Sequence, residues 1–114
     1  MDPVQVVQGQ VEAFNARDLE RFLSYYSPDI VFEDGAGAVV AQGHDAMRAL
    51  FGPLFAQSPD LHVDIPRRIH VGPWVIDEEQ GTGAGPDTGF PPEVHLVVVY
   101  RVEGDTIVRM RSLA

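Results

Sequence analysis

Glu93-Val94-His95-Leu96-Val97-Val98-Val99-Tyr100-Arg101-Val102 is the stretch on which the fold turns. Successive side chains of a strand point to opposite faces. Val94, Leu96, Val98 and Tyr100 therefore line one face, and Val97 and Val99 the other. A strand that is apolar on both sides of an antiparallel sheet needs two covers. Downstream, Glu103-Gly104-Asp105 reads as a hairpin turn and residues 106–113 as the strand that closes the sheet. Upstream, residues 83–92 are a loop by composition and residues 74–82 a strand entered through Gly72-Pro73. Residues 61–71 form a further strand, in which Pro66 marks a bulge or an edge position.

The N-terminal half supplies one cover. Asp2 caps a helix with Pro3 at its first position, and Val4, Val7, Val11 and Phe14 recur at helical spacing. Asp18 caps a second, short helix carrying Leu19, Phe22, Leu23 and Tyr26, which Ser27-Pro28 stops. Residues 30–34 read as a strand, Gly35-Ala36-Gly37 as a turn and residues 38–42 as its return. A third helix starts near His44 with Met47, Leu50, Phe51, Leu54 and Phe55 on its apolar stripe, and Gly52-Pro53 is expected to kink or restart it. Helices followed by a meander of strands give an α+β class. Nothing else in the chain supplies the second cover, so a second subunit on the far face of the sheet is expected.

The 114 residues are expected to form one domain, 1–114. The folded surface should be about 6,000 Å². Eight basic against 17 acidic side chains leave a net charge of −9, which disfavours nucleic acid and anionic membranes as partners. No cysteine is present, which removes disulfides, thiolate metal sites and cysteine nucleophiles. His44, His62, His70 and His95 make no ligand spacing, so neither metal nor cofactor is expected. Met1-Asp2-Pro3-Val4-Gln5 lacks the basic and apolar regions of a signal peptide, and a cytoplasmic location is expected.

Two carboxylates stand out. Asp34 ends the apolar stripe of Ile30 and Phe32, so it lies at a rim flanking the turn or at the bottom of a pocket. In a pocket, desolvation would raise its pKa and suit it to act as a general base. Alternation from Trp74 places Trp74, Ile76 and Glu78 on one face and Val75, Asp77 and Glu79 on the other. With the first set inward, Glu78 would share a cavity with Trp74. A one-residue change of register reverses the two sets.

Three runs together resemble the nuclear transport factor 2-like superfamily, which includes SnoaL-like polyketide cyclases and steroid Δ-isomerases. They are Phe14-Asn15-Ala16-Arg17-Asp18-Leu19, Tyr26 through Ile30-Val31-Phe32-Glu33-Asp34, and Gly43-His44-Asp45-Ala46-Met47-Arg48; the closing residues 100–113 agree. The resemblance implies a cone-shaped, strongly curved sheet wrapped around the helices, an internal pocket for an apolar small molecule, and a homodimer through the convex face. It implies cofactor-independent isomerase or cyclase chemistry with Asp34 as base, and Tyr26, Gln10 and Tyr100 are the candidate hydrogen-bond donors, Tyr26 first. The pocket walls would be Gln10, Phe14, Met47, Phe51, Trp74, Ile76, Glu78, Val98, Tyr100 and Met110. The isomerases' oxyanion donors fall on Gln10 and Val98, and Val98 cannot donate. A non-catalytic ligand-binding or dimerisation module of the same fold is the alternative. Water activation by an Asp34–Glu78 pair, as in epoxide hydrolysis, is a third reading.

Overall fold

The computed structural model describes all residues, 1–114. Three helices and six strands follow in the order α1 (Pro3–Asn15), α2 (Leu19–Ser24), β1 (Tyr26–Glu33), β2 (Val39–Gln42), α3 (Gly43–Gln57), β3 (His62–Val71), β4 (Trp74–Thr82), β5 (Glu93–Glu103) and β6 (Thr106–Leu113). The strands form one curved sheet in the order β2-β1-β6-β5-β4-β3. Only β1 and β6 run parallel; the other neighbours are antiparallel. The accessible surface is 5998 Å², in line with the size expected of the chain.

Local chemistry explains most boundaries. The Asp2 carboxylate accepts the Gln5 backbone N–H at 2.9 Å, and the Gln5 side chain accepts the Asp2 N–H at 2.9 Å. This reciprocal pair satisfies two donors that the first helical turn leaves free. Asp18 caps α2 through the Arg21 N–H. Two expectations are corrected. Tyr26 opens β1 rather than closing α2; its backbone carbonyl lies 2.7 Å from His44 Nε2. The chain around Ser27-Pro28 is extended, as a residue before proline prefers. α3 does not restart at Gly52-Pro53; one helix runs through Pro53.

Pro66 does disturb β3, and the consequence reaches the centre of the molecule. The pairing with β4 slips by one residue between Asp64 and Arg67. Val63 pairs with Gly81 before the slip, and Arg68 pairs with Asp77 after it. The bulge therefore turns Arg68, rather than Arg67, toward the helices. A second slip, between Arg101 and Val102, brings both Ile107 and Met110 onto the inner face of β6.

The core lies between the helices and the inner face of the sheet. Val6, Val7, Phe22, Leu23, Ile30, Met47, Leu54, Val75 and Ile107 are fully enclosed. Phe14 packs edge-on to Phe55 at 5.3 Å, and Phe22 lies 5.0 Å from both Tyr26 and Phe51. Asn15 ties α1 to β3, donating to the Val63 carbonyl at 3.1 Å and accepting the Val63 N–H at 2.8 Å. No helix is long and apolar enough to cross a membrane.

Candidate functional site

A cavity of about 140 Å³ opens between the helices and the inner face of β4, β5 and β6. That is close to the ~150 Å³ apolar cavity that takes up benzene. Its wall is mainly aromatic and aliphatic, with Phe14, Phe22, Phe51, Leu96, Val98 and Met110 prominent. The 83–92 loop forms one side of the mouth through Ala84, Phe90, Pro91 and Pro92. That loop is pinned. The Gly85 N–H donates to Ser58 Oγ at 2.8 Å, and the Thr88 hydroxyl donates to the Gly85 carbonyl at 2.9 Å. Gly83 has φ +85° and lies so close to the Asp60 carbonyl that a Cβ would collide with it.

The polar part of the wall is one hydrogen-bonded chain. The Tyr26 hydroxyl donates to Gln10 Oε1 at 2.8 Å. Gln10 Nε2 donates to Tyr100 Oη at 3.2 Å. The Tyr100 hydroxyl donates to Glu79 Oε2 at 2.9 Å. Four elements contribute: β1, α1, β5 and β4. Burial pushes both tyrosine hydroxyls well above their ordinary range, so they stay protonated. Glu79 is raised to about 7, first by burial. The Tyr100 hydrogen bond opposes that rise, the Asp77 charge adds to it, and the Arg68 charge opposes it.

Beneath Glu79, Asp77 is fully enclosed. Arg68 grips both its oxygens, Nε to Oδ1 at 2.7 Å and Nη2 to Oδ2 at 2.9 Å. Arg68 Nη1 also donates to Gln8 Oε1 on α1 at 2.9 Å. A carboxylate held by a planar guanidinium fork is committed to that pair. Glu79 is therefore the carboxylate of this cluster that faces the cavity.

Of the residues expected at the site, Gln10, Phe14, Tyr26, Phe51, Val98, Tyr100 and Met110 line this cavity. The others do not. Met47 is wholly enclosed in the core beside it. Trp74, Ile76 and Glu78 lie on the convex face, because β4 pairs Val75 with Tyr100 and Asp77 with Val98, and those partners face inward. Trp74 is 38% exposed beneath the Arg101 guanidinium, 5.1 Å from its ring centre. Glu78 Oε2 sits 2.6 Å from His95 Nε2, also on the convex side. Asp34 flanks the β1–β2 turn. Its Oδ1 accepts the Ala36 and Ala38 N–H groups, both at 2.9 Å, and it contributes nothing to the cavity wall. An Asp34–Glu78 pair acting on one water is thereby excluded. Glu79, Asp77 and Arg68 are the residues that sequence reasoning missed. The inward parity of Val98 and Tyr100 would have found the first two had the β4–β5 register been known.

Comparison with known proteins agrees with this architecture. A structure from Novosphingobium aromaticivorans, described as an uncharacterized cystatin-fold protein, is 29% identical with a TM-score of 0.88. The match covers 100% of this chain and 99% of that one. A ketosteroid isomerase-like fold protein from Catenulispora acidiphila, solved with trimethylamine, is 18% identical over 94% of this chain and 82% of its own, at TM-score 0.72. An epoxide hydrolase from M. tuberculosis is 18% identical over 97% and 80%, at TM-score 0.79. Among curated proteins none matches. The SnoaL-like domain family matches residues 7–110, and the chain belongs to that family.

Proposed function

We propose that this protein is a cofactor-independent acid–base catalyst, an isomerase or cyclase, acting on a small apolar ring compound that carries a carbonyl, with Glu79 as general base. The observation that carries the reading is a cavity-facing carboxylate whose burial lifts it to about 7. A base tuned near the working pH is half free and still strong enough to accept a proton. Glu79 takes the proton from a carbon next to the carbonyl, and the electron pair of that C–H bond passes into the carbonyl to form an enolate. Where a C=C bond is conjugated with the enolate, returning the proton from Glu79 to the far (γ) carbon gives isomerisation; attack of the enolate carbon on a second carbonyl of the same molecule, whose π pair moves to its oxygen and takes the proton back from Glu79, gives cyclisation. Tyr100 accepts from Gln10 and donates to Glu79, which fixes the carboxylate's orientation.

The test is deuterium uptake by cyclohexanone in D₂O near neutral pH, followed by NMR. The protein should accelerate exchange at the carbons beside the carbonyl. Glu79→Gln should reduce that acceleration by about 10²-fold or more. Asp34→Asn should leave it within about twofold. Equal rates for wild type and Glu79→Gln would overturn the assignment.

A ligand-binding role without turnover is the second reading. One observation favours it: the hydroxyl protons of Tyr26 and Tyr100 are both engaged inside the chain, so neither is free for an oxyanion. Binding of cyclohexanone without exchange would support it.

We also propose a homodimer through the convex face. Ile69, Val71, Trp74 and Leu113 expose 57%, 65%, 38% and 38% of their surface there. Contiguous apolar side chains of this kind favour burial against a partner.

A further inference from the structure

The engaged donors raise a question about the cavity's remaining polar atoms. His62, at the mouth, is paired with Asp64 at 3.1 Å. Thr82 is exposed at the end of β4. Ser112 is the remaining hydroxyl. It lies on β6, two residues beyond Met110 and on the same inward face, and pairs across the sheet with Val98. No side-chain nitrogen or oxygen sealed in the interior lacks a partner. Ser112 is half-buried and lines the cavity, and its hydroxyl makes no hydrogen bond within the chain.

Its place relative to Glu79 follows from the registers. Ser112 pairs with Val98, Val98 with Asp77, and Glu79 lies two residues along β4 from Asp77. Two strand spacings separate the β4 and β6 backbones by roughly 10 Å. Side chains reach inward from both ends, Glu79 from one and Ser112 from the other. The space between is floored by Val98 and Leu96, in a cavity whose volume of about 140 Å³ suits one six-membered ring.

We propose that Ser112 is the ligand-oxygen donor of this site: its hydroxyl donates to the carbonyl of a six-membered-ring ligand, one of whose carbons beside that carbonyl faces Glu79. This rests on the reading of the cavity as a ring-carbonyl site. It supplies the hydrogen bond that Tyr26 and Tyr100 cannot give while they are tied to Gln10 and Glu79. A hydroxyl already aimed at the place where negative charge gathers needs no rearrangement during the reaction.

Binding, rather than turnover, tests the assignment. The dissociation constants of cyclohexanone and methylenecyclohexane are measured on the full chain by chemical-shift titration at pH 8. There the Glu79 carboxylate is mostly ionised and offers no proton of its own. The two rings differ only in C=O against C=CH₂. Ser112→Ala should weaken cyclohexanone about fivefold, the size of one ordinary hydrogen bond, and leave methylenecyclohexane unchanged. Asp34→Asn, outside the cavity wall, should change neither. An unchanged cyclohexanone affinity in Ser112→Ala would overturn the proposal. So would equal weakening of both rings, or no binding of cyclohexanone to the wild type. The selective loss of cyclohexanone without any deuterium exchange would uphold Ser112 and remove Glu79 as base. Exchange that depends on Glu79 but not on Ser112 would do the reverse.

Discussion

Tyr100 Oη donates to Glu79 Oε2 across 2.9 Å, and the same oxygen accepts from Gln10. The tyrosine thus stabilises the ionised form of the carboxylate against the burial that opposes it. Tyr100→Phe removes the opposing influence and leaves the burial in place. Glu79 should then titrate above 7, and the acidic limb of the pH–rate profile should move to higher pH. The profile of cyclohexanone exchange, wild type against Tyr100→Phe, measures the shift; movement to lower pH would contradict the arrangement.

The same carboxylate costs the fold stability at neutral pH. Glu79 holds its proton up to about pH 7 when folded, against 4.5 for an ordinary glutamate. Between those values the native state binds more protons than the unfolded state, so this group's contribution is most favourable below pH 4.5. It is lost as pH rises through 7, a swing of about 3 kcal/mol. Glu79→Gln should flatten that dependence and raise stability at pH 8 by about 1–3 kcal/mol. Urea unfolding at pH 5 and pH 8 reads both numbers. The variant should therefore be a more stable, inactive protein.

Arg68 and Asp77 form the platform under Glu79. The Asp77 side chain is fully enclosed and that of Arg68 is 19% exposed. Arg68→Met would leave Asp77 enclosed with no partner and should destabilise by about 3–5 kcal/mol. Replacing both together, as Arg68→Met with Asp77→Leu, should recover most of that loss. Chemical denaturation of the two variants checks the pair. A single-variant cost below ~1 kcal/mol would mean that Asp77 finds another partner.

The convex face makes its own prediction. Sedimentation at micromolar concentration should show a dimer. Ile69→Glu places a charge in the middle of the apolar patch and should give a folded monomer. A monomeric wild type would contradict the proposed interface.

Much of the fold could be read from local chemistry. Asp2-Pro3 announced α1, the apolar run of residues 94–100 announced β5, and Pro66 announced a bulge. The site was harder, for a physical reason. Alternation gives two faces for β4 but not which one is inside, and the loop from Gly83 to Pro92 leaves the parity of the β4–β5 pairing free. Trp74 and Ile76 form the more apolar set and so suggested the inner face. They lie on the convex side instead, while the inner set carries Asp77 and Glu79. Those charges are tolerated there only because Arg68 and Tyr100 meet them, and contacts between different strands leave no trace in the spacing along one. Asp34 misled for a simpler reason: the strand ends at Glu33, one residue before alternation would have turned it inward.

The central claim is that Glu79 is a desolvated carboxylate poised at the cavity wall. Carbon-13 NMR titration of the Glu79 side-chain carboxyl in the intact protein tests it without any knowledge of the substrate. The midpoint should fall near pH 7 and drop when a cationic ring such as cyclohexylammonium enters the cavity. A midpoint near 4.5 would show a solvated carboxylate and contradict its role as base.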